Sequence, residues 1–198
     1  MIIIDSFYVG LLLLVIYILV DLVKNKKTNI LKRILFYSFL FYLINVAQET
    51  VGGIMIPRDP DYTLDLNSLI QFIPFYFVYD LTQIYTANGT DWFFFNASKL
   101  YFYNVLLLFP LGVYLAILFK VNKFKKAMLL IFLTSLAIET VQLILGVTGL
   151  IWGRTFNVDD LILNTAGGAL GYLVMGRLKR WYDLLTEKKR KESYKEVS

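Results

Sequence analysis

The chain contains no cysteine and no histidine. The first absence excludes disulfides, thiolate metal sites and a cysteine nucleophile; the second excludes imidazole ligands and any Ser-His-Asp arrangement. Whatever chemistry the protein performs must use carboxylate, amide, hydroxyl, lysine, arginine or tyrosine groups. No metal site and no cofactor is expected. Charge is also nearly missing from long stretches. Of the 198 residues 58% are hydrophobic and 17% aromatic, and the apolar ones gather into runs long enough to cross a hydrocarbon core of roughly 30 Å.

Five such runs predict an all-α integral membrane protein with about five transmembrane helices, at about residues 3–23, 33–56, 102–120, 126–146 and 158–177. The first lacks a basic n-region and a small-residue cleavage site, so it reads as a retained anchor rather than a signal peptide. Short loops rich in Lys and Arg stay cytoplasmic. Lys24, Lys26, Lys27, Lys32 and Arg33 lie between spans one and two; Lys120, Lys123, Lys125 and Lys126 lie between spans three and four; eight more follow span five, from Arg177 to Lys195. Only Arg58, Lys99 and Arg154 fall on the opposite side, among Asp59, Asp61, Asp65, Asp80 and Asp91. This asymmetry places the N-terminus outside and the C-terminus inside.

Three divisions follow: an N-terminal anchor helix and basic loop at 1–34, a transmembrane domain at 35–177, and a basic cytoplasmic tail at 178–198. The net charge of +5 does not indicate nucleic-acid binding, because the basic residues are divided among membrane-flanking loops. The tail reads as a topology marker or an anionic-lipid contact. Between spans two and three, residues 57–101 carry dense aromatics, including Trp92, Phe93, Phe94 and Phe95, and suit an interfacial segment with a short helix around 68–85.

Polar residues inside the apolar runs mark the candidate site, since an ionisable group in a span costs on the order of 2.5–3.5 kcal/mol on insertion scales. Ser135, Glu139 and Gln142 are spaced four and three apart and share one helical stripe. Asp160, Asn164, Gly167 and Gly171 share a face of span five, with Asp159 displaced by about 100°. Gly167 and Gly171 form a small-residue pair that permits close helix approach. Span two repeats the theme with Asn45, Gln48, Glu49 and Gly52. If these stripes converge, they form an outward-facing polar pocket containing Glu49, Glu139, Asp160 and Arg154, completed by a proton, a cation or a basic group of a substrate.

The same residues admit a purely architectural reading. Arg154 and Asp160 then form an ion pair, Glu139 and Gln142 hold helices together, and Asp159 caps span five. Asn67, Pro74, Asn104 and Pro110 read chiefly as turn residues and helix-start signals.

Taken in order, Asn67-Ser-Leu-Ile-Gln-Phe-Ile-Pro74-Phe75, Asn104-Val-Leu-Leu-Leu-Phe-Pro110-Leu-Gly112, Ser135-Leu-Ala-Ile-Glu139-Thr-Val-Gln142, Arg154, Asp159-Asp160 and Asn164-Thr-Ala-Gly167-Gly168-Ala-Leu-Gly171-Tyr make residues 35–177 resemble the VanZ-like family of bacterial membrane proteins. The first span and the basic tail lie outside the resemblance, and residues between Phe75 and Asn104 diverge. The resemblance implies a multi-pass protein of the bacterial cell membrane, a link to low-level teicoplanin resistance, and function at Glu139, Gln142, Arg154, Asp159, Asp160 and Asn164. Glu49, from the stripe on span two, and Asn67 and Asn104 are further pocket candidates.

Three functions compete. A binder would engage an amphiphile, such as a lipid-linked wall precursor or a lipoglycopeptide, beside ordinary membrane lipids. An intramembrane enzyme would use Glu139 or Asp160 as general base or divalent-cation ligand, with Arg154 on a phosphate or carboxylate. A transporter would need a pathway that five spans without an inverted repeat do not supply.

Overall fold

A computed structural model of the chain describes residues 2–24, 29–57, 69–151 and 155–196, with side chains of the last segment described to residue 187. Its helices are α1 (Ser6–Lys24), α2 (Ile30–Thr50), α3 (Tyr76–Asn88), α4 (Trp92–Leu107), α5 (Phe109–Ile117), α6 (Phe124–Val147) and α7 (Val158–Glu196). Five stretches are long and apolar enough to cross a membrane: α1, α2, the α4–α5 pair over Trp92–Ile117, α6, and α7 as far as Glu187. Four short strands accompany them: β1 (Ile2–Asp5), β2 (Gly53–Ile56), β3 (Ile70–Gln71) and β4 (Phe156–Asn157).

The spans differ from the hydropathy reading in instructive places. Span three begins at Trp92, not near residue 102. The side chain of Asp91 accepts a hydrogen bond from the Phe94 amide at 3.0 Å and so starts α4 ahead of the aromatic run. Residues 92–95 are therefore the first turn of a candidate spanning helix, and the separate helix before them is α3. Span two stops at Thr50, and residues 53–56, which hydropathy alone adds to it, form β2. Span five continues as helix well past residue 177.

The α1–α2 hairpin is closed at both ends. β1 pairs antiparallel with β2, from Ile2 opposite Ile56 to Asp5 opposite Gly53. At the start of α1, Ser6 Oγ donates to the Gly52 carbonyl at 2.7 Å, and the Phe7 amide donates to Asp5 Oδ1 and Gln48 Oε1. At the far end Arg33 forms a 2.7 Å ion pair with Asp21, whose carboxylate also accepts from the Tyr37 hydroxyl. The Asn29 side chain caps α2 through the Leu31 amide at 3.0 Å.

Helix α7 is the central element, packed against α4, α5 and α6. The α4–α5 span breaks at Leu108, just before Pro110, which takes an early position of α5 where its missing N–H is harmless. The break leaves carbonyls without helical partners, and the Tyr42 hydroxyl of α2 donates to one of them, on Leu107, at 2.9 Å. The buried apolar cluster is small: Leu108, Leu111 and Leu115 with Ala127 and Ile131. Large apolar side chains such as Leu12, Leu133 and Leu170 are instead exposed around the perimeter, as befits helices whose outer solvent is lipid. Inside, Ser135, Glu139, Gln142, Asp159, Asn164 and Thr50 are buried.

Candidate functional site

One cavity, of about 670 Å³, lies among α2, α3, α4, α6 and α7. Helix α2 contributes Glu49 and Thr50, α3 contributes Asp80, and α4 contributes Asn104 with Tyr101 and Tyr103. Helix α6 supplies Glu139 and Gln142, and α7 supplies Asp160 and Asn164. Apolar surface from Leu100, Leu106, Leu107 and Ile138 completes the wall. The volume falls within the roughly 300–1,000 Å³ of small-molecule sites.

Several of these polar groups are held by a named partner. Glu139, with 1% of its surface exposed, accepts the Asn157 amide on Oε2 at 3.0 Å. β4 is thereby fixed against α6 just before α7 begins. Asp160 Oδ1 accepts from Asn104 Nδ2 at 2.6 Å, which ties α7 to α4 across the cavity. Gln142 Nε2 donates to the Thr50 carbonyl at 2.8 Å, closing the end of α2. Tyr101 donates to Asp80 Oδ2 at 2.8 Å and draws α3 to the rim. Asn164 is 1% exposed, and its Oδ1 has no hydrogen-bond partner among the described residues; the same holds for the fully buried Ser135 Oγ.

Of the residues singled out in the sequence, the structure brings Glu49, Asn104, Glu139, Gln142, Asp160 and Asn164 to this one cavity. Asn104 is no turn residue: it sits within α4. The span-two stripe divides, because Gln48 and Glu49 lie about 100° apart on the helix; Gln48 serves the start of α1 while Glu49 faces the cavity. Asp159 does not line it. Its two carboxylate oxygens accept from the Phe75 and Phe77 amides at 2.6 and 2.7 Å, so it caps α3 and not the helix it belongs to. Arg154 and Asn67 lie outside the described residues.

Gly167 and Gly171 are on the seam between α7 and the broken span. A Cβ at Gly167 would stand 1.7 Å from the Val105 carbonyl oxygen, and one at Gly171 would stand 2.0 Å from that of Phe109. From the other side, a Cβ at Gly112 would stand 1.9 Å from the Gly168 carbonyl oxygen. Backbone meets backbone here, which holds Asp160 and Asn164 close to α4.

Asp80, Tyr101 and Tyr103 escape the sequence reading. Asp80 lies in an aromatic stretch whose only signal is one carboxylate among rings, and its bond to Tyr101 crosses two helices joined by a short turn. Among the described residues, no group of three or more carboxylates is arranged to hold a metal ion.

Five candidate spans, four of which border the polar cavity, define a multi-pass helical membrane protein. Residues 33–179 match the family model described as VanZ/LLP1, and the chain belongs to that family. No match emerges among curated proteins or among solved structures.

Proposed function

We propose that this VanZ/LLP1 protein binds an amphiphile, with the headgroup in the cavity and the acyl chain along its apolar wall. The observation that carries the reading is the lining itself. Carboxylates and amides (Glu49, Asn104, Glu139, Asp160) share one space with Leu100, Leu106, Leu107 and Ile138. A soluble polar ligand would leave that apolar wall unused, and a hydrocarbon alone would leave the polar groups unsolvated. The Lys and Arg distribution supports a cavity opening toward the outside of a bacterial cell membrane. There the candidates are a lipid-linked wall precursor or a lipoglycopeptide, and a contribution to teicoplanin resistance follows from engaging either one.

The test is purification from native membranes followed by mass spectrometry of the retained lipids, comparing the wild type with Ala97→Phe, which adds bulk to the cavity wall. The expected result is one or a few species enriched over bulk membrane in the wild type and lost in the variant. A retained profile equal to bulk membrane in both proteins ends the proposal.

A further inference from the structure

Four carboxylates, Glu49, Asp80, Glu139 and Asp160, give the cavity its polar end. That end lies toward one membrane surface: Glu49 stands one residue before the end of α2, and Asp160 is the third residue of α7. Leu106 and Leu107 lie at the opposite end, about 20 Å along the span that starts at Trp92. In a hydrocarbon core of roughly 30 Å, that is the depth of acyl chain ends. Charge at the surface and hydrocarbon toward the midplane is the order of groups in a lipid standing upright in a leaflet, the outer one on the orientation that the basic residues favour.

On the side of α2 the wall is incomplete. This helix packs mainly along α1, and it is fastened to the rest of the bundle at two levels. Deeper in the span, the rings of Phe39 and Tyr42 meet that of Tyr114 in α5 at 5.2 and 5.7 Å, beside the bond from Tyr42 to the Leu107 carbonyl. At the surface end, Gln142 holds the Thr50 carbonyl. Between these levels runs a stripe of α4, Leu100, Tyr103 and Leu106, in steps of three. All three line the cavity, yet they are 65%, 48% and 42% exposed. Glu49, across from them on α2, also lines it and is exposed. Side chains that belong to a cavity wall and are also open to the outside mark its rim, and a rim as deep as Leu106 faces hydrocarbon instead of water.

Resting on the amphiphile reading, we infer that the gap between α2 and α4 is a side entrance from the bilayer, filled by one acyl chain of the bound molecule, so that the ligand is a lipid already resident in the leaflet and not an amphiphile captured from water. The headgroup slides in at its own level, past Glu49 and Tyr103, toward Asp80, Glu139 and Asp160. The chain stays between Leu100 and Leu106 and exchanges one apolar surrounding for another. Entry from the water would instead drag hydrocarbon past four carboxylates and strip them of solvent, which is costly.

The experiment uses the full-length protein in nanodiscs of phosphatidylcholine and phosphatidylethanolamine, a fraction of each carrying a diazirine at the end of one chain; irradiation is followed by peptide mass spectrometry. Leu107 and Ile138, partly buried in the cavity wall against the core cluster, are expected to be labelled together with Leu170, an exposed residue of the perimeter. Leu106→Trp, which fills the gap, is expected to cut the label at Leu107 and Ile138 by at least about fourfold, the worth of burying one methylene, and to leave Leu170 unchanged. The wild-type pattern decides even if Leu106→Trp fails to fold. In liposomes, Leu100→Cys in this thiol-free chain is expected to stay monomeric under oxidant; a disulfide dimer would give the gap a second copy as its occupant and overturn the entrance. Label at Leu170 without label at Leu107 and Ile138, or unchanged label in Leu106→Trp, overturns it as well. Amphiphile binding then stands if the purified wild type still retains enriched lipid, and falls with the entrance if it retains none.

Discussion

Two adjacent carboxylates have unrelated tasks. Asp160 faces the cavity and accepts from Asn104, whereas Asp159 is turned away and receives two amides from the start of α3. Helix α3 has no side-chain cap of its own, and its N-cap, Phe75, has left-handed backbone at φ 62°. A buried carboxylate from 82 and 84 residues away fills that role and complements the positive end of the helix dipole. Asp159→Ala should therefore leave two amides unsatisfied, at about 1–3 kcal/mol, and loosen α3 locally. Hydrogen–deuterium exchange over residues 75–80 should accelerate in Asp159→Ala and stay at the wild-type rate in Asp160→Asn; equal exchange in both variants would contradict the division of labour. That the two aspartates point apart was legible from the 100° step between neighbours. The partner of Asp159 was not, since nothing in a run of aromatics marks two backbone amides as lacking a cap.

At the scale of the elements, the spacing of Gly167 and Gly171 announced a close helix contact but could not name the neighbour. The neighbour is the broken span, touched at Val105 and Phe109 on either side of the break. The break itself was half legible. Pro110 signals a helix start, yet the Tyr42 hydroxyl that answers the Leu107 carbonyl comes from 65 residues earlier. The seam makes a controlled prediction: Gly171→Ala adds a Cβ 2.0 Å from a backbone oxygen that cannot swing aside, whereas Gly176→Ala meets nothing within 4 Å. Overpacking of this kind costs typically about 1–3 kcal/mol, while alanine in an open helical position tends to stabilise. Melting in detergent should separate the two variants, with Gly171→Ala lower and Gly176→Ala at or above the wild type. Coincident melting curves would mean that the helices separate freely at this point.

For the molecule as a whole, the number of spans was readable because lipid demands length and apolarity, and both are written locally. The four short strands were not readable. Two-residue pairings such as Ile70 with Phe156 and Gln71 with Asn157 depend on where distant helices deliver the chain, and they produce no alternation to detect. Helical spacing brought Glu139 and Gln142 of α6 and Asp160 and Asn164 of α7 to one cavity, but not Ser135, which is buried outside its lining, nor Gln48, for which a third helix end competes. Orientation is an expectation of charge: with the basic loops inside, single cysteines at Asn88 or Thr148 should react with an impermeant maleimide on intact cells, and one at Glu187 should not. The chain has no native thiol to confuse the readout. The reverse pattern would invert the protein and turn the cavity toward the cytoplasm.

The glycine seam also bears on how this protein can vary over generations. Every amino acid except glycine carries a Cβ, so each missense change at codons 112, 167 or 171 introduces an atom within about 2 Å of an oxygen on the facing backbone. These codons have no neutral neighbours in sequence space, and a later change elsewhere cannot absorb the intrusion by trimming a side chain, because none is there to trim. A lineage can leave this arrangement only by moving two helices apart together, and with them Asp160 and Asn164 away from α4.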